Sequence, residues 1–482
     1  MAPAALELRA IVKRYGNALA LDGVDFDARP GEIHALCGEN GAGKSTLARI
    51  AAGVLGPTAG TIVRKGRVGL VHQHFELVRR LRVWENVALG YEPRRGARVD
   101  RDAARERVRA LGRRYGLTAD PDAIVESLPI GLAQRVEILR ELAREPAVLV
   151  LDEPTAVLAP QEIDALFATL RALAAGGATI VVVTHKLGEV AAYADWVTVL
   201  RAGRVVASDA MPQTSPAAIA RAMIGGTVPA VAKRTERRPQ SLFEARDIAT
   251  ADGTLGPVSF AVGAGEIVAL AGVEGNGQTH LVDAVAGTLV ATGTMHLDGA
   301  LLAPGDPARR IAAGIRTIPQ DREREALVLP WTVAENIALG DHARPPLRRG
   351  IFVDVRAREA RAQTIVAEFD VRAPGPRAPV ATLSGGNQQK LVVGRALTCA
   401  PRLVVAYQPT RGIDVGAAAL VRSRLIEARN EGVGILLVSF ELDEIFALAD
   451  VVLVLFRGAC AGRFTRAQFD RERIGAAMTG AS

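Results

Sequence analysis

The sequence predicts an α/β protein made of two copies of one unit, each a mainly parallel sheet with helices on both faces. Three observations carry this. A set of motifs near the N-terminus returns in the second half in the same order. Short β-branched runs alternate with longer helical patterns in both halves. In each half a glycine-rich loop follows an apolar run and opens a helical stretch.

The repeat comes first, because it sets the frame for the rest. Gly31-Glu32-Ile33 followed by Gly38-Glu39-Asn40-Gly41-Ala42-Gly43 returns as Gly265-Glu266-Ile267 followed by Gly272-Val273-Glu274-Gly275-Asn276-Gly277, an offset of 272 − 38 = 234. Val83-Trp84-Glu85-Asn86-Val87-Ala88-Leu89-Gly90 returns from Val333 at 333 − 83 = 250, and Glu153-Pro154-Thr155 returns as Gln408-Pro409-Thr410 at 408 − 153 = 255. A period this long is a duplicated domain, not a solenoid. The join falls in a polar, Pro-bearing stretch, so the expected division is 1–228, a linker at 229–240, and 241–482. Placing Gln73 on Gln320 gives an offset of 247, so the first copy is shorter by 247 − 234 = 13 residues before Gln73. That shortening should trim an edge strand or a loop.

The strands justify the parallel sheet. Val148-Leu149-Val150-Leu151, residues 180–183 and Val197-Thr198-Val199-Leu200 are apolar on both faces, as strands covered on both sides are. Ligands of such sheets sit beyond the carboxyl ends of the strands.

Bulk properties narrow the class. No apolar run approaches the ~18 residues of a spanning helix, and residues 1–15 lack the basic stretch and apolar core of a signal peptide. The expectation is a chain kept in the cytoplasm, whose membrane role would need other subunits. Cys37, Cys399 and Cys460 are scattered and read as reduced thiols. The net charge of +7 comes from arginines alternating with acids, the pattern of solvated helix faces. No basic block is interleaved with aromatics, so nucleic acid is not an expected partner.

Gly38-Glu39-Asn40-Gly41-Ala42-Gly43-Lys44-Ser45 is a complete phosphate-binding loop, with an apolar strand before it and a helix from Thr46 after it. Its backbone amides and the helix start favour phosphate oxygens. Lys44 would reach the outer phosphates of ATP and Ser45 would ligate Mg²⁺. The run Leu149-Val150-Leu151-Asp152-Glu153 ends a buried strand in two carboxylates. Asp152 suits Mg²⁺, and Glu153 can orient or deprotonate the attacking water. An Asp-Glu pair alone would read as a helix cap; paired with the loop upstream, it reads as hydrolytic.

The order of these motifs, together with Thr382-Leu383-Ser384-Gly385-Gly386-Asn387-Gln388-Gln389, resembles the ATP-binding cassette family, over nearly the whole chain. The resemblance implies two cassettes in tandem, each with a β-subdomain and a helical subdomain bearing a signature loop. In that family the signature loop closes over ATP held by the opposite cassette, so Ser384, Gly385 and Gly386 would face the first cassette's phosphate loop. Gln73 is similar to the family's Q-loop glutamine, which also approaches Mg²⁺. His185 is similar to its switch histidine, Tyr15 to the aromatic that stacks on adenine, and Asp414 to the D-loop aspartate. His72 and His74 flank Gln73 without a third metal ligand of fitting spacing.

Crossing the halves gives two unequal sites. Site one joins Tyr15, Lys44, Ser45, Gln73, Asp152, Glu153 and His185 to Ser384, Gly385, Gly386 and Asp414, and every position matches the working pattern. Site two has Gln278 for the lysine, Tyr407 for the metal aspartate, Gln408 for the base and Phe440 for the histidine. Facing it are Pro129, which lacks both hydroxyl and amide hydrogen, and Ala159 at the D-loop position. Only Thr279, Gln320 and the loop amides survive. Hydrolysis is expected at site one alone.

The run Gln408-Pro409-Thr410-Arg411-Gly412-Ile413-Asp414 resembles the ATP-binding subunits of bacterial sugar and nucleoside importers. Val71-His72-Gln73-His74-Phe75 looks more like the nucleoside branch. The resemblance implies a peripheral subunit at the cytoplasmic face of the cell membrane, two transmembrane permease subunits and, indirectly, a substrate-binding protein. The alternative is a soluble tandem-cassette ATPase acting on ribosomes or nucleic acid. Such proteins typically carry long linkers, zinc cysteines and two competent sites, and the sequence has none of these.

Overall fold

The structure, a computed structural model, describes residues 3–16, 18–39, 41–72, 76–128, 130–155, 158, 160–225, 232, 234–235 and 241–480. Asn40, Gln73, His74, Phe75, Pro129, Ala159 and most of the 229–240 stretch lie outside the described residues. The chain forms two compact units, Met1–Val228 and Pro229–Ser482.

The first unit contains a six-stranded sheet in the order Arg204–Ala210, Trp196–Arg201, Ile33–Gly38, Thr179–Thr184, Val148–Asp152, Val68–Val71. Only the first pair is antiparallel. Every residue of Val148–Asp152 and Thr179–Thr184 is buried, and alternation decides against what. Leu149, Leu151, Ile180 and Val182 enter a core with the helices Val83–Ala88, Arg101–Tyr115, Ile130–Leu142 and Pro160–Ala175. Val148, Val150, Val181 and Val183 enter a second core, with the helix Lys44–Ala52 and a three-stranded antiparallel sheet of Leu6–Tyr15, Ala18–Ala28 and Ala59–Arg64. Each such aliphatic side chain contributes ~1.5–3 kcal/mol by leaving water, which explains the β-branched runs that are apolar on both sides.

The second unit repeats this plan. Its six-stranded sheet runs Ile315–Ile318, Leu403–Tyr407, Gly434–Val438, Ile267–Ala271, Val451–Phe456, Ala459–Thr465, with only the last pair antiparallel. Its antiparallel sheet has four strands, Val258–Gly263, Ser241–Ala249, Thr292–Leu297 and Ala300–Leu301. Here the shortening of the first copy becomes visible. Residues 65–67 join Ala59–Arg64 to Val68–Val71, where residues 298–314 join the corresponding strands of the second unit. Those residues hold the edge strand Ala300–Leu301 and the helix Pro307–Ala312. The sequence predicts the loss of an edge strand or a loop; the first unit lacks both an edge strand and a helix at this place. In its absence Arg64 closes the end of Lys44–Ala52, its Nε and a terminal nitrogen each donating at 2.7 Å to the carbonyls of Ala51 and Ile50. Such a cation also suits a helix C-terminus.

A pair of buried asparagines fixes the helical part of each unit. Asn86 accepts from the Val78 amide at 2.8 Å and donates to the Val78 and Arg82 carbonyls at 3.1 Å. Asn336 accepts from the Val328 amide at 2.8 Å and donates to the Val328 and Thr332 carbonyls at 3.0 and 3.1 Å. This explains why Glu-Asn recurs in the repeat: the amide supplies the partners that a tight loop lacks. From the 229–240 join, Ala232 and Thr235 bond to Ser423 and Asn430, and Arg234 pairs with Asp450, all within the second unit.

Candidate functional site

In the first unit three strand ends converge. The register pairs Cys37 with Thr184 and Asp152 with Val183, so the glycine loop, the two carboxylates and His185 leave the sheet at one edge. The loop's glycines are sterically required. A Cβ on Gly38 would come within 2.4 Å of the Leu200 carbonyl oxygen. Gly43 has φ 105, and a Cβ there would lie 2.6 Å from Leu21 Cδ2. Gly41 stands exposed, the Ala42 amide donates to the Glu39 carbonyl at 3.0 Å, and Lys44, Ser45 and Thr46 form the first helical turn. Lys44 Nζ folds onto the loop, donating to the carbonyls of Gly38 at 2.8 Å and Glu39 at 3.1 Å. Burial pushes its pKa down against the pull of Glu153 and Asp152.

The neighbouring carboxylates are driven apart. Burial raises Asp152, against the Ser45 hydroxyl that donates to it. Glu153 is also pushed up by burial, but the hydrogen bond and charge of His185, then Lys44, outweigh it and leave the group below its ordinary value. His185 Nδ1 lies 3.0 Å from Glu153 Oε1. The Glu153 backbone is in the left-handed region, φ 49, held by its amide donating to the Val183 carbonyl at 2.9 Å. The two adjacent carboxylates thus sit in different surroundings, Asp152 against a hydroxyl and Glu153 against an imidazole and Lys44. The hydroxyl–carboxylate pair of Ser45 and Asp152 is the oxygen donor set that Mg²⁺ prefers. Tyr15 ends its strand with a 48% exposed ring, and Lys13 Nζ stands 5.4 Å from its centroid.

The second unit keeps the backbone and replaces the chemistry. Gln278, almost fully buried, donates to the Val273 carbonyl at 3.2 Å, the counterpart of the Lys44–Glu39 contact. Tyr407 and Thr279, standing where Asp152 and Ser45 stand, share a hydrogen bond at 3.0 Å. Burial raises the phenol's pKa, so the pair is neutral. Phe440 packs edge-on to Tyr407, with ring centroids 6.3 Å apart. Gln408 keeps φ 50 and the same amide bond, to the Val438 carbonyl at 2.7 Å, with a side chain that cannot take a proton. Gln320 lies half-buried at a bend. At the turn after the first strand the aromatic is absent. Asp252 sits there and accepts from Thr250 Oγ1 and from the amide and hydroxyl of Thr254. Those bonds draw its pKa down to about 2. The repeat carries this change too, but it shows only once the strands are paired.

The signature loop of the second unit is intact. Ser384 stands at the position before the helix Gly385–Leu397, and Asn387 Nδ2 donates to its Oγ at 2.8 Å. Asp414 caps Val415–Asn430 through the Ala417 amide at 2.7 Å, and a Cβ on Gly386 would fall 2.7 Å from its Oδ2. The structure thus brings Ser384, Gly385, Gly386 and Asp414 together. It adds a residue that the sequence gave no reason to single out. Arg322 donates to Gln388 Oε1 at 3.3 Å, and a Cβ on Gly385 would meet its guanidinium at 2.6 Å. In the first unit Gly131 stands at the position of Gly386, and a Cβ on it would likewise meet a carboxylate, Glu162, at 2.6 Å.

Residues 21–156 and 255–411 match the ABC transporter family. The chain is 39% identical to the nucleoside import ATP-binding protein NupA of Lactococcus lactis subsp. cremoris, over 98% of both chains. It is 37% identical to the guanosine import ATP-binding protein NupO of Bacillus subtilis, over 99% of this chain and 98% of that one. It is 39% identical to a ribose import ATP-binding protein, RbsA 3, of Rubrobacter xylanophilus, over 98% of both. Among solved structures, the complex of archaeal ribosomal stalk protein aP1 and ribosome recycling factor aABCE1 has a TM-score of 0.66 at 19% identity, covering 92% of this chain and 87% of that one. At that identity the likeness is one of fold alone.

Proposed function

The chain belongs to the ABC transporter family, as a tandem-cassette ATP-binding subunit of the sugar and nucleoside import type, and from that premise we propose that it hydrolyses ATP at one composite centre. That centre would combine Lys44, Ser45, Asp152, Glu153 and His185 of the first unit with Ser384, Gly385, Gly386 and Asp414 of the second, in the head-to-tail pairing that the family resemblance implies. Gln73, Asn40 and Thr46 complete it. The observation that supports the reading most is the contrast at equivalent positions. Asp152 accepts from the Ser45 hydroxyl, an oxygen pair that suits Mg²⁺, whereas Tyr407 bonded to Thr279 offers no carboxylate.

In this mechanism the exposed ring of Tyr15 stacks on adenine, and the loop amides with Lys44 hold the phosphates. Ser45 and Asp152, with Gln73, would hold Mg²⁺, which would neutralise phosphate charge when bound. Glu153, kept ionised by His185 and Lys44, orients the attacking water and takes its proton. His185 holds Glu153 at 3.0 Å and faces the outer phosphate. The signature loop offers a helix start and the Ser384 hydroxyl from the far side, with Arg322 adding charge. Site two, faced by Pro129, is structural.

The cargo reading is a nucleoside or simple sugar, the nucleoside branch favoured, moved by two permease subunits fed by a substrate-binding protein. Among the described residues no helix is long and apolar enough to cross a membrane, which fits a peripheral subunit at the cytoplasmic face. One experiment tests the centre: ATPase activity of the assembled transporter carrying Lys44→Gln, which copies site two's residue into site one, beside Gln278→Ala. The first should abolish turnover and the second should leave it within about twofold. Retention of more than about a tenth of the parent rate by Lys44→Gln would overturn the reading.

A further inference from the structure

We propose that the hairpin Arg348–Arg349/Phe352–Val353 of the second unit is a membrane-surface anchor that inserts its apolar tip among anionic phospholipid headgroups. The hairpin pairs Arg348 with Val353 and Arg349 with Phe352. At its turn Ile351 is 85% exposed and Phe352 72% exposed, with Val353 and Val355 also exposed. Large apolar side chains at such exposure on one protruding turn are unusual and mark a surface that something covers. The turn is built to protrude. Leu347 is buried at its base, the Asp354 amide donates to the Leu347 carbonyl at 2.7 Å, and Arg348 Nε donates to the Gly350 carbonyl at 2.7 Å.

Charge selects the occupant. Arg344 stands 3.8 Å from Asp341, but Arg348 and Arg349 on the hairpin and Arg356 after it are exposed, and the one acid within residues 345–356 is Asp354. That carboxylate is already engaged, accepting from the Ala357 amide at 3.0 Å as the cap of Val355–Glu368. A small apolar tip carried on two exposed arginines complements phosphodiester headgroups above an acyl boundary. The first unit supplies an internal comparison. Its hairpin, Arg94–Arg95 paired with Arg98–Val99, keeps arginines but turns on Gly96-Ala97. Only the second unit combines both parts of an interfacial anchor. The inference goes beyond the hydrolytic reading and does not depend on it.

The test is co-sedimentation of the full chain with vesicles of equal parts phosphatidylglycerol and phosphatidylcholine, against phosphatidylcholine alone. The parent should bind the anionic vesicles only, and less as salt rises. Ile351→Ser/Phe352→Ser and Arg348→Gln/Arg349→Gln should each lower the partition coefficient about tenfold or more. Arg94→Gln/Arg95→Gln should leave it unchanged. All the changes are on exposed positions, so thermal melting should match the parent. In a separate variant, Phe352→Trp emission should shift to the blue on adding anionic vesicles. Absence of binding, equal binding to phosphatidylcholine, or a tip variant that binds like the parent would overturn the proposal. So would a tip variant that keeps lipid binding but no longer co-purifies with the permease, which would make the socket a protein.

Discussion

Glu153→Gln in the assembled transporter isolates the base from everything around it. The substitution keeps the shape, the left-handed backbone at φ 49 and the amide bond to Val183. The new amide can still meet His185, now 3.0 Å from the carboxylate. What disappears is the charge and the ability to accept a proton. A positioned general base is worth about 10²–10⁴ in rate, or about 2.7–5.5 kcal/mol of barrier. The second unit already carries this change, since Gln408 sits on the same backbone at φ 50. With one competent centre, turnover should fall to about 1% of the parent or lower, and Gln408→Glu should change it less than about twofold. With two equal centres about half the activity would remain. Steady-state phosphate release from the transporter in proteoliposomes reads the difference, and a residual rate above about a tenth of the parent refutes the single-centre reasoning.

Three further outcomes follow from the geometry. Asn86→Ala and Asn336→Ala each strand buried loop amides and carbonyls, and each should cost ~2–4 kcal/mol in denaturant melts. Gly386→Ala drives a Cβ against Asp414 Oδ2 at 2.7 Å. It should cut ATPase activity at least about tenfold while ATP binding to the first unit, read with a fluorescent analogue, stays within about threefold. Asp341 is pushed up by burial, but Cys399, Arg316 and Arg361 outweigh this and hold its pKa below the ordinary 3.8. Its contribution is therefore full above 3.8 and lost as pH falls through the lower folded value. Asp341→Asn should cost ~3–5 kcal/mol near neutrality, with the difference from the parent shrinking below that pH.

Most of the candidate site was legible because it depends on residue type at fixed spacing. Lys44, Asp152 and Glu153 stand where strand ends must put them, and the β-branched runs that cover both faces of the sheet announced the strands. The repeat let Gln278, Tyr407, Gln408 and Phe440 be read as replacements. What stayed hidden depends on tertiary pairing. Tyr407 locking onto Thr279 needs two side chains 128 residues apart. Arg322 reaches the signature loop from a short π-helical turn, Arg322–Ala326, that no local pattern marks. Asp252 lines up with the aromatic of the first unit only through strand pairing, because the turn after it is shorter: Ile11 pairs with Val24, but Ile248 pairs with Val258. The shortening of the first copy was legible, but that it included the helix Pro307–Ala312 was not, because that helix has only six residues and no apolar period to mark it.

The most direct measurement is disulfide formation between Gly41→Cys and Ser384→Cys in a chain otherwise free of cysteine. The account predicts rapid crosslinking within one chain when ATP is bound to an Glu153→Gln background, and little without nucleotide. Failure of that pair to crosslink under ATP, while a Gly275→Cys/Ser384→Cys pair does so, would contradict a nucleotide held between the first unit's loop and the second unit's signature.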